Sequence, residues 1–169
     1  MPNKERINQI IEQLRQDKAV GTHFRMDSFC EYLDPSRLPI NDTKNTIYCY
    51  QECNTVLCLA GWANYFRLKA TAPDILDKRH FVDEAGDATA AARWLGITLK
   101  QRNELFLMQN ERGHSILGPR GEPVPLKWFE LQSQGIRYDA GIRVLEILRD
   151  EGVVDWDRAI TDAGGKLPE

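Results

Sequence analysis

No run of apolar residues in this chain approaches the length of about 20 that a membrane-spanning helix needs. The opening residues, "MPNKERINQIIEQLRQDK", are charged and lack the apolar centre of a signal peptide. Neither sign of charge dominates: 22 Lys and Arg stand against 25 Asp and Glu, a net charge of −3. That balance supplies no general attraction to nucleic acid or to an anionic membrane. Cysteine is scarce, at four in 169 residues. A chain of this length buries roughly 70% of its unfolded surface and needs neither a disulfide framework nor a metal to fold. The expectation is a cytoplasmic protein with reduced thiols. Internal repeats, low-complexity tracts, a Gly-rich phosphate loop and an H-E-x-x-H pair are also missing. Length and composition therefore predict one domain, residues 1–169, with no cofactor.

What is present is mostly helical patterning. Ile7, Ile10, Ile11 and Leu14 recur at helical spacing between Asn3, a suitable N-cap, and Lys18. Residues 22–50 alternate imperfectly and predict an irregular region with at most a short pair of strands. Residues 55–69 predict a helix apolar on nearly all sides, which belongs in the middle of a fold. Trp62 on this helix is expected to be buried. Farther on, "GDATAAARWLGITLKQRNELFLM" predicts helix, turn, helix: Asp87 caps the first, Gly96 ends it and Thr98 caps the second. Glycines and prolines make 111–137 a long loop. "YDAGIRVLEILRDEG" predicts a closing amphipathic helix, and "VVDWDRAI" a final turn. Asp155 and Asp157 read as solvated charges, and the tail from Thr161 as frayed. The fold class is mainly α: one compact helical domain around a central buried helix.

Within "QECNTVLCLAGWANYF", Cys53 and Cys58 lie five residues apart. The structural reading makes Asn54 the N-cap, which puts Cys53 and Cys58 at the two positions of a hydrophobic staple. Free cysteine suits that role as a small buried hydrophobe. A second reading is a zinc site drawn from Cys30, Cys49, Cys53 and Cys58, although structural zinc usually uses well-separated C-x2–4-C pairs. A third is nucleophilic catalysis, because a helix N-terminus stabilises a thiolate.

Two further constellations stand out. "AAARWLGITLKQRNELF" has the outline of a DNA-reading helix-turn-helix, but Lys100 and Arg102 are offset by Glu104 and Glu111. The expectation is that it does not bind nucleic acid. In the loop 111–137, Arg112, His114 and Arg120 combine with Trp128 as a candidate site for a small anionic ligand.

Two resemblances bear on these readings. "QECNTVLCLA" resembles the nucleophile segment of papain-like peptidases, including those that process bacteriocin leaders. It implies Cys53 as nucleophile, Gln51 as oxyanion donor and His80 or His114 as base. In that pattern the histidine sits on a sheet after the helix, whereas His80 precedes another helical segment. Separately, "FRMDSFC", "CNTVLCLAGWA" and "AARWLGITLKQRNELF" resemble small phage and bacterial proteins carrying a C-G-T-x-x-C-x-A-G-x-A segment, with Asn54 here in place of its Gly. That resemblance implies a shared fold, no assigned activity, and an accessory protein of phage or mobile-element type. The function expected is non-enzymatic binding that sequesters or blocks a host protein or a small ligand. The alternatives are a cysteine hydrolase and a helix-turn-helix regulator.

Overall fold

The computed structural model describes residues 1–20, 30–32, 55–73, 87–106 and 135–166, with the strand residues described by backbone alone. The described residues form a mainly α-helical fold. Its elements are α1 (Lys4–Val20), β1 (Cys30–Tyr32), β2 (Thr55–Leu57), α2 (Leu59–Thr71), α3 (Ala88–Leu95), α4 (Leu99–Phe106), α5 (Arg137–Glu151) and α6 (Trp156–Asp162).

The first helix forms as its pattern predicts. Asn3 Oδ1 accepts from the Arg6 amide at 3.1 Å, satisfying one of the unpaired donors of the first turn. Ile7, Ile10, Ile11 and Leu14 are buried on one stripe. That stripe packs on α5, which buries Val144, Leu145, Ile147 and Leu148. Each such side chain contributes about 1.5–3 kcal/mol by leaving water. Ion pairs line the rim of this packing: Lys18 with Asp139, and Arg15 with Glu146 at 3.0 Å. Being exposed, they are worth only about 0–1 kcal/mol each.

The central helix starts four residues later than its apolar spacing suggests. Thr55–Leu57 are a strand, paired antiparallel with Cys30–Tyr32 in the register Cys30↔Leu57, Glu31↔Val56 and Tyr32↔Thr55. A short apolar run fits either period, and β-branched Thr55 and Val56 favour the pleated form once a partner strand is present. α2 then runs from Leu59 to Thr71. Ala72 is its C-cap, with φ −154° and ψ 65°, and the Ala72 amide donates to Leu68 O at 2.8 Å. Leu59, Ala60, Trp62, Ala63, Tyr65 and Leu68 are buried, so the helix is central as its composition requires. Among them Asn64 is wholly buried. Its Nδ2 donates to the Asp87 carbonyl at 3.0 Å and its Oδ1 accepts from Arg67 Nε at 3.1 Å, which ties α2 to the start of α3.

The turn between α3 and α4 follows the sequence closely. Asp87 Oδ1 accepts from the amides of Thr89 and Ala90 at 3.0 and 2.9 Å. Gly96 has φ +67°, its amide donates to Arg93 O, and the Ile97 amide donates to Ala92 O. This is a Schellman close, with Ile97 turned into the core. Met1 O sits 3.1 Å from where a Cβ on Gly96 would be, so the N-terminus packs directly on this turn. Arg6 adds a hydrogen bond to Trp94 O and places its guanidinium 5.2 Å from the centre of the Trp94 ring.

At the C-terminal end, Gly152 closes α5 with φ +73°. Asp155 is not merely solvated: its Oδ1 accepts from the Arg158 amide at 2.9 Å and caps α6. Trp156 is buried and donates from Nε1 to Glu104 O at 3.0 Å, fastening α6 to α4. The segment after Thr161 is also ordered through Lys166. The Gly164 and Gly165 amides donate to Thr161 O and Ile160 O. A Cβ on Gly165 would lie 2.8 Å from Ile160 Cγ2 and closer still to Ile136 Cδ1, so the chain packs tightly there.

Candidate functional site

Two helix ends meet where α4 begins and α5 stops. Thr98 Oγ1 accepts from the Gln101 amide at 3.2 Å, and Gln101 Oε1 accepts from the Thr98 amide at 2.8 Å. The pattern is a reciprocal capping box, and it fixes the first turn of α4. The same Gln101 donates from Nε2 to Gly152 O at 2.7 Å. A single side chain thereby holds the α5–α6 turn against the α4 N-terminus.

Between these ends lies an open groove of about 270 Å³, lined by Thr98, Lys100, Gln101, Glu104, Gly152, Val153 and Val154. Lys100 Nζ stands 3.9 Å from Glu104 Oε1, one helical turn away. The Lys100 side chain is 57% exposed and that of Glu104 only 16%, and both line the groove. Val153 lines the groove and is 48% exposed; Leu99, between two lining residues, is 65% exposed. Beyond Met1 and Val20, each at the end of a described segment, these are the large exposed apolar side chains among the described residues. Val154, by contrast, packs against the core.

The groove was half visible in the sequence. Thr98 was expected as a cap, and Lys100 as a charge on the second helix of the hairpin. The T-x-x-Q spacing of Thr98 and Gln101 is the local signal of the capping box, and the two valines of "GVVD" lie between the stop of α5 and the cap of α6.

The cysteine region differs from expectation. Cys58, not Asn54, is the N-cap of α2: its Sγ accepts from the Gly61 amide at 3.4 Å. The staple reading needs Cys58 inside the first turn, and the strand at Thr55–Leu57 displaces the helix start past it. The Cys58 side chain is buried. The backbone of Cys30 pairs with Leu57, immediately before Cys58. Among the described residues no three His, Cys, Asp or Glu side chains gather where they could hold a metal ion. Cys49, Gln51, Cys53, Asn54, His80, Arg112, His114, Arg120 and Trp128 lie outside the described residues, as does nearly all of the loop expected over 111–137. Its last residue, Arg137, already belongs to α5.

On the helix-turn-helix outline, Arg102 is committed within the protein. Its guanidinium donates to Thr89 Oγ1 at 2.9 Å and to Asn103 Oδ1 at 2.7 Å. That grip fastens α4 to the first turn of α3.

Comparison with family models, with curated proteins and with solved structures finds no match to this chain.

Proposed function

We propose that this chain is a non-enzymatic binding protein, an accessory protein of the phage or mobile-element kind, that blocks or sequesters a protein partner through the groove at the α4 N-terminus. The observation that carries this reading is exposed Val153 in a groove whose two sides Gln101 joins, with exposed Leu99 next in sequence to the lining residues Thr98 and Lys100. Burying apolar area of this kind is the usual source of association energy, and walls already held in place reduce the ordering cost of binding. The ammonium of Lys100 at the rim adds a polar element that can select among partners. The committed guanidinium of Arg102 supports this reading over DNA recognition. The accessory role rests on the three sequence segments that resemble small phage and bacterial proteins.

The reading is tested by affinity capture from cells that naturally express the chain, comparing it with Leu99→Glu/Val153→Glu. A partner retained by the parent and lost by the variant, at matched thermal stability, supports the proposal. Equal retention by both places the contact elsewhere.

A further inference from the structure

We draw no further inference here: the strongest candidate, the buried Cys58 thiol at the N-terminus of α2 beside the β1–β2 pair, is a lone cysteine with no second observation among the described residues that points to a ligand.

Discussion

Gln101 reaches Gly152 across the groove, donating from Nε2 to its carbonyl at 2.7 Å while its Oε1 takes the Thr98 amide at 2.8 Å. Gly152 is the left-handed residue that ends α5, and its amide donates to Leu148 O. Gln101→Ala removes a capping acceptor and a cross-turn bond together, with an expected cost of about 1–2 kcal/mol. Gln101→Glu keeps an acceptor for Thr98 but loses the donor to Gly152, so it should be destabilising as well. Urea unfolding measures both. Changes within the about 0.5 kcal/mol typical of ordinary surface substitutions would show that Gln101 does not hold these ends together.

Trp62 sits at the middle of an aromatic row. Its ring meets Tyr65 edge-on at 5.6 Å and stacks on Phe66 at 5.8 Å, and Phe66 stacks in turn on Trp94 at 6.5 Å. Trp62→Ala should cost about 3–5 kcal/mol through the cavity it leaves. Trp94→Ala, at the half-buried end of the row, should cost less. Equal losses by thermal or urea unfolding would place the centre of the core elsewhere.

Most of the helical fold was legible because its signals are local. The Ile7 to Leu14 stripe, the Asp87 cap and the Gly96 stop each depend on residues within a turn of one another, and all form as read. The start of α2 was not legible. Whether Thr55–Leu57 join the helix or a strand depends on Cys30–Tyr32, more than twenty residues upstream. Asn64 was equally hidden: a lone amide in an apolar helix is understandable only once the Asp87 carbonyl lies beside it. The same applies to the groove, whose two sides come from residues about fifty positions apart in the chain.

The displaced helix start changes what should be expected of Cys58. Sulfur is a weak acceptor, so Cys58→Ser should hold the Gly61 amide at least as well, whereas Cys58→Ala should lose about 0.5–2 kcal/mol. Being buried, the Cys58 thiol should resist alkylation in the native protein and react once it is unfolded. Peptide mapping after iodoacetamide treatment reads this directly. Rapid native labelling of Cys58 would contradict its place in the core. Rapid labelling confined to Cys53 would instead favour the hydrolase alternative.

Burial raises the Tyr65 phenol above its ordinary value of 10.0. Ionisation is therefore harder in the folded protein than in the unfolded chain. The stability this group contributes is complete below pH 10 and is lost as pH climbs through the raised value. Tyr65→Phe should remove that part of the alkaline decline. The check is the urea midpoint of both proteins between neutral pH and pH 11, an upper limit set about one unit above the free phenol. Parallel curves would mean Tyr65 ionises as freely in the fold as outside it.

The central claim is that a partner sits on Leu99 and Val153, and site-specific photocrosslinking tests it most directly. A photoreactive amino acid replaces Val153 in one sample and Lys69, exposed on α2 and outside the groove, in another. Irradiation is carried out in cells that naturally express the chain. The account predicts one discrete protein adduct from position 153, absent from position 69 and abolished when Leu99→Glu is added. Adducts of equal yield from both positions, or none from position 153 while the chain still captures a partner, would contradict it.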